Sequence, residues 1–159
     1  MDKKKLLQTI CAQLEKDLVA LKAAAAQSYD AATNEESRPE NQYDTRALES
    51  SYLAGAQAHR VKDVEASLTV FKFVEIKKFD ADTPIGPTAL VRLSIKDKEN
   101  MLFILPTGGG VTVEFEGQTI QVLTAKSPLG EALQGLYEGD AAIVEKGDQT
   151  LEYEIISVE

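Results

Sequence analysis

Cysteine occurs once in this chain, histidine once and tryptophan not at all. The lone cysteine, Cys11, excludes an internal disulfide and fits a reducing compartment. With His59 the single histidine and no cysteine cluster, the usual ligand set of a zinc site is missing. No stretch approaches the ~18 consecutive apolar residues of a membrane-spanning helix, so no membrane association is expected. The basic start, Met1 to Leu7, leads into neither an apolar run nor a small-residue cleavage site. A signal peptide is therefore not expected, and the protein reads as cytoplasmic. Positive charge is scarce too, with 17 Lys and Arg against 26 Asp and Glu and a net charge of −9. Such a chain is not built to coat nucleic acid by itself, so any action there would run through a partner protein. The imbalance is uneven: residues 1–67 hold nine basic and eleven acidic residues, residues 68–159 eight and fifteen.

Glycine and proline are absent from Lys4 to about Ala32, where Leu, Ala, Lys, Gln and Glu dominate. These are good helix formers. Apolar and small residues recur there at alternating spacings of four and three: Leu7, Cys11, Leu14, Leu18, Leu21, Ala25, Ser28. That is a heptad seam. A one-sided helix of about 28 residues, roughly 42 Å long, needs a partner. A second helix predicted from Pro39 to Glu65 supplies one, its seam reading Tyr43, Ala47, Ser50, Ala54, Gln57, Val61, Val64, Leu68. Antiparallel pairing with a constant residue-number sum of 75 matches Leu7 to Leu68, Leu14 to Val61 and Ser28 to Ala47. It centres the turn between Ser37 and Arg38 and predicts a helical hairpin over residues 1–67. Toward the turn the seam becomes Ala and Ser, so the far end should be slender.

The turn stretch, Asn34 to Asp44, carries four carboxylates: Glu35, Glu36, Glu40 and Asp44. A capping box with Ser37 as N-cap and Glu40 at N3 accounts for part of this acidity, and Pro39 suits the first helical turn. Two or more carboxylates on a projection can also share Mg²⁺, a hard cation that tolerates an incomplete protein shell. Another molecule's active site would have to complete such chemistry.

Composition changes near Ser67. Strand-like runs follow at residues 68–76, 89–95, 101–105, 111–115, 119–123, 141–145 and 151–158, with turns at residues 96–100, 116–117 and 147–148. Residues 127–136 read as one short helix, with Ser127 as N-cap, Pro128 at N1 and Gly135 at the C-terminal end. Residues 68–159 are thus expected to form an antiparallel sheet with one helix packed on it, which makes the fold class α+β. Thr107-Gly108-Gly109-Gly110 lacks the lysine and following helix of a phosphate-binding loop and reads as a turn. His59 reads as a surface residue, Cys11 as part of the seam, and Lys3-Lys4-Lys5 as an exposed helix start.

Three segments give the chain a resemblance that covers nearly its whole length. They are Ser127-Pro128-Leu129-Gly130 with Ala132-Leu133, Gly135 and Gly139-Asp140; the ending Leu151 to Val158; and Glu40-Asn41 followed by Tyr43. In these the chain resembles the bacterial Gre transcript cleavage factors, GreA and GreB. The resemblance implies a C-terminal domain of FKBP-like fold over residues 68–159. It also implies binding to RNA polymerase at the rim of its secondary channel, through the region of Lys126, Ser127, Pro128, Leu129 and Gly130. The hairpin would then enter the channel. Glu36 and Glu40, with Glu35 and Asp44 as alternates, would help hold a second Mg²⁺ beside the tip residues Ser37, Asn41 and Tyr43. The backtracked RNA 3′ end would be reached only indirectly, the metal would be shared with the polymerase, and no cofactor would be stably bound. The protein is expected to be a monomer and not an enzyme by itself. The alternatives are a channel-binding regulator without cleavage and, from fold alone, a peptidyl-prolyl isomerase or a coiled-coil chaperone.

Overall fold

The computed structural model describes residues 1–34, 40, 45–96 and 98–159. They fall into two compact units, Met1–Cys11 with Val70–Glu159, and Ala12–Thr69.

The first helix, α1 (Lys3–Thr33), is capped by Asp2, whose Oδ1 accepts from the backbone N–H of Lys4 and of Lys5 at 3.1 Å each. The second, α2, runs Arg46–Phe71. Every described residue of the two predicted seams is buried or half-buried, and Leu14 is the most covered within Ala12–Thr69, at 3% exposure. Residues flanking the seams, such as Lys16, Val19, Tyr52 and Arg60, are exposed. The hairpin is thus held by narrow stripes, Leu and Val near its base and Ala and Ser further out.

The register differs from the predicted one. Lys22 Nζ and Glu65 Oε1 form an ion pair at 2.7 Å, and their numbers sum to 87. Under a sum of 75 they would lie twelve residues out of level, about 18 Å along the axis at 1.5 Å per residue. Seams that repeat every seven residues stay face to face when slid by a heptad. Sliding by one heptad or more brings this pair within side-chain reach. The start of α2 also differs, since Thr45 is not helical and precedes the first turn. Its hydroxyl donates to Glu49 Oε1 at 3.0 Å, and its carbonyl accepts from Glu49 N–H at 2.9 Å. Pro39, the Ser37–Glu40 capping box (apart from Glu40) and the turn centre lie outside the described residues.

Gln57 occupies a seam position, and its Oε1 is buried with no hydrogen-bond partner among the described residues. A desolvated, unpaired amide oxygen is costly. Gln57→Leu is expected to stabilise the chain by about 1 kcal/mol, raising Tm by about 2–4 °C. A thermal melt followed by circular dichroism checks this.

The sheet unit contains β1 (Leu90–Ile95), β2 (Lys98–Leu105), β3 (Thr112–Phe115), β4 (Gln118–Thr124), α3 (Pro128–Leu133), β5 (Ala141–Lys146) and β6 (Gln149–Val158). The strand order is β3-β4-β2-β1-β6-β5. The sheet is mixed rather than wholly antiparallel: β2 pairs with β4 in parallel, Phe103 facing Val122. The reason is local. Glu116 and Gly117, at φ 49° and 76°, close a tight β3–β4 hairpin, and both residues sit in the left-handed region that such a turn requires. The longer strand of that hairpin, with Ile120 and Val122 fully buried, takes the inner place and so runs alongside β2.

Both faces of the sheet are covered. One carries Val91, Leu93, Leu102, Ile104 and Ile155, with Leu133 of α3 buried among them. The other carries Leu90, Phe103, Leu105, Ile120 and Val122, each at 0–1% exposure. Phe71 reaches this second face, since a Cβ on Gly108 would lie 3.0 Å from its ring and 3.9 Å from Val122. The predicted strand at residues 68–76 is not formed. Leu68 continues the heptad seam, and Phe71 follows one turn later as the last helical residue.

Lys3 also departs from expectation, because it is buried at 8% exposure rather than lying on an open helix start. Its Nζ donates to the carbonyls of Lys77 at 2.6 Å and Thr88 at 3.1 Å, and sits 4.7 Å from the Phe79 ring centroid. Thr88 has φ 69°, a costly conformation for a β-branched residue. Its N–H donates to Ile104 O at 2.8 Å and its hydroxyl accepts from Lys77 N–H at 3.0 Å. Burial pulls the Lys3 ammonium from 10.5 down to about 8, against the opposing pull of Glu159. Between these values the unfolded chain holds a proton that the folded chain lacks. Stability should therefore rise from pH 8 to 10.5. Lys3→Met is expected to remove that rise in urea melts run across the same range.

Candidate functional site

The junction between β4 and α3 is the most fully determined polar feature of the sheet unit. Ser127 sits at φ −75° and ψ 154° as N-cap, and its Oγ accepts from Gly130 N–H at 3.1 Å. The same hydroxyl donates to Thr124 O at 2.8 Å, the Ser127 N–H donates to that carbonyl at 3.0 Å, and Glu131 N–H donates to Ser127 O at 2.8 Å. One serine therefore ties the end of β4 to the first turn of α3. Pro128 at the next position loses nothing by lacking an N–H.

Gly130 is required by space rather than by backbone angle. A Cβ there would fall 2.0 Å from Thr124 O and 2.9 Å from Ser127 Oγ. Leu129 is half-buried against the core cluster, while Lys126 and Pro128 are exposed. The result is a rigid corner that presents one cation and one proline ring to solvent. Beyond α3, Gly135 and Leu136 bond Ile85 through N–H and C=O at 3.0 and 2.8 Å. Asp140 Oδ2 accepts from Tyr137 N–H at 2.8 Å, and Gly139 (φ 88°) donates to Ile155 O at 2.9 Å. The Gly139-Asp140 turn thus pins the chain after α3 to β6, leaving Tyr137 43% exposed.

The five residues from Lys126 to Gly130 are brought together by this corner. The acids of the hairpin are placed only in part. Glu40 is exposed, its Oε1 3.8 Å from Arg46 Nη2, in a pair too solvated to hold either side chain firmly. Glu35, Glu36, Asp44, Ser37, Asn41 and Tyr43 lie outside the described residues. Among the described residues no three His, Cys, Asp or Glu side chains gather as a metal site would need. His59 is exposed beside Asp63 at 3.5 Å, Cys11 is half-buried on the seam, and Thr107 to Gly110 form the connection from β2 to β3. Among the described residues, no helix is long and apolar enough to cross a membrane. Asp140 was singled out with Gly139 in the sequence, whereas the buried Lys3 matters more locally than sequence reasoning gave it. Asp140 follows a turn glycine, which was a usable signal; Lys3 offered none, being one of three adjacent lysines.

No family model and no curated protein matches the chain. Solved structures do. The GreA factor homolog 1 (Gfh1) protein of Thermus thermophilus is 15% identical, covering 94% of each chain with a TM-score of 0.37. Thermus aquaticus Gfh1 is 14% identical over 93% of this chain and 92% of that one, with a TM-score of 0.39. A prokaryotic transcription elongation factor GreA/GreB from Nitrosomonas europaea is 24% identical over 62% and 78%, with a TM-score of 0.37. Values this low carry no statement about shared activity.

Proposed function

We propose that this chain is a Gre-type transcription factor that binds bacterial RNA polymerase, with the Lys126–Gly130 corner as the docking element and the hairpin as the part that enters the secondary channel. The observation that carries this reading is a hairpin with two narrow seams that shrink to Ala and Ser toward an acidic stretch. A projection of that shape suits a confined channel, and a rigid, capped corner on a separate unit suits a docking point. The motif resemblance at Ser127-Pro128-Leu129-Gly130 and at Glu40-Asn41 supports the same assignment.

At the tip, Glu36 and Glu40, with Glu35 and Asp44 as alternates, would add oxygen ligands to a Mg²⁺ held chiefly by the polymerase. That second metal would orient water for hydrolysis of backtracked RNA. The chain would supply ligands and position, and the polymerase the active site. One feature favours a second reading, a channel-binding regulator without cleavage. Ser37 stands three residues before Glu40, where Gre factors carry an aspartate.

Adding the protein to a backtracked elongation complex separates the two readings. Release of short 3′ RNA fragments, lost on combining Glu36→Ala with Glu40→Ala, is the result expected for a cleavage factor. Binding without release would leave the regulator reading, and no binding would end both.

A further inference from the structure

Residues Phe73-Val74-Glu75-Ile76 have the composition of a strand and are not in one. Val74 and Ile76 are half-buried while Phe73, Glu75 and Lys77 are exposed, the period-two pattern of an extended chain. Among the described residues, the backbone groups of Glu75, Ile76 and Lys78 make no hydrogen bond. Those of Lys77 do: its N–H donates to Thr88 Oγ1 at 3.0 Å and its carbonyl accepts from Lys3 Nζ at 2.6 Å. In an extended chain, successive residues aim their N–H and C=O to opposite sides. With Lys77 turned toward Thr88 and Lys3, the groups of Ile76 and Lys78 face away, as on the open edge of a strand.

Beside this edge lies an open groove of about 570 Å³. Leu7, Phe71, Val74 and Ile76 give it an apolar lining, and Lys4 and Lys72 are its cations. Phe73, next in sequence to two lining residues, is left 81% exposed. Charge selects the occupant. Lys4 and Lys72 line the groove with one acid, Glu75, and Lys77 and Lys78 follow as exposed lysines. This is a local excess of positive charge in a chain whose net charge is −9.

We propose that Val74–Lys78 is an acceptor strand for an extended, acidic and apolar segment of a partner protein. The segment would pair its backbone with Ile76 and Lys78 and seat an apolar side chain in the groove. Its carboxylates would lie against Lys4 and Lys72. Main-chain pairing would give affinity, and the groove and lysines selectivity, as in other strand-addition complexes. The surface shares no residue with the Lys126–Gly130 corner, and the proposal does not depend on what that corner binds.

The test uses the full chain and a fluorescein-labelled ten-residue peptide alternating glutamate and valine, read by anisotropy and by amide hydrogen exchange. Saturable binding is expected, with the Ile76 and Lys78 amides becoming protected. Combining Lys4→Glu with Lys72→Glu should weaken binding at least tenfold, with the fold checked by circular dichroism. The same peptide N-methylated at alternate residues should not bind, an arm that leaves the protein untouched. Any of four results would overturn the proposal. These are no saturable binding up to millimolar peptide, equal binding of a lysine–valine peptide, protection at β3 or β5 instead, or self-association of the chain that protects the same amides without peptide.

Discussion

Replacing Gly130 by alanine is expected to be among the most damaging single substitutions in the sheet unit. The added methyl would sit 2.0 Å from Thr124 O, a backbone atom fixed by the end of β4 and by two bonds from Ser127. No rotamer change relieves such a clash, so the start of α3 must lift. Lifting it breaks the Ser127–Gly130 cap and drags at Leu133. A loss of about 3 kcal/mol or more follows for an overpacked, backbone-limited site. For a chain of this size that lowers Tm by about 6–12 °C. Gly139→Ala is the contrast, because a Cβ there meets nothing within 4 Å and only the φ of 88° is unfavourable. Its cost should be about 1 kcal/mol. Parallel thermal melts of the two variants check the ordering, and similar losses from both would contradict the steric account.

Leu133→Ala is the second large effect. Leu133 is 0% exposed and is the fully buried side chain by which α3 meets the sheet. Its truncation leaves a cavity in the buried cluster that α3 shares with the sheet, one that a six-residue helix cannot collapse to fill. The expected cost is about 2–5 kcal/mol. Because α3 carries the corner, the variant should also weaken any partner held by Lys126 and Pro128. Lys126→Glu should spare stability, the side chain being exposed, while weakening the same partner. Denaturant melts and binding measured side by side distinguish loss of the corner's shape from loss of its charge.

Much of the architecture was legible in the sequence because it rests on periodicity. Heptad spacing named residues that are buried or half-buried on both helices, although it passed over Leu6 and Ile10, which are 0% exposed. Strand-like runs, some alternating and some continuously apolar, located the strands of the sheet to within a few residues at each end. Ser127, Pro128 and the following residues announced the capped helix through local chemistry alone. What periodicity cannot carry is register and pairing. A seam repeating every seven residues fits equally well when slid by seven, and an ion pair outside the seam, Lys22 with Glu65, is what shows that it has slid. Parallel pairing of β2 with β4 follows from which strand of a hairpin is buried, which no run shows by itself. The residues 68–76 pattern was ambiguous for a physical reason. Leu68 and Phe71 satisfy helical spacing, and Val74 and Ile76 satisfy strand spacing, so the helix stops between them. The burial of Lys3 depends on carbonyls 74 and 85 residues away and leaves no local trace.

The candidate site was legible unevenly. Its corner is built from short-range contacts, all within seven residues of Thr124, and so it was readable. The acidic stretch is a matter of what the carboxylates meet in a partner. Composition alone cannot separate helix capping from metal sharing there, since both ask for oxygen ligands at the same end of a helix.

The central claim is that this chain holds RNA polymerase by the Lys126–Gly130 corner. The direct measurement is the affinity of bacterial RNA polymerase core enzyme for the full chain and for Lys126→Glu, at matched ionic strength. Saturable binding by the unaltered chain, weakened about tenfold or more by Lys126→Glu with unchanged melting, is the predicted result. An absence of binding, or equal binding by both chains, would contradict it.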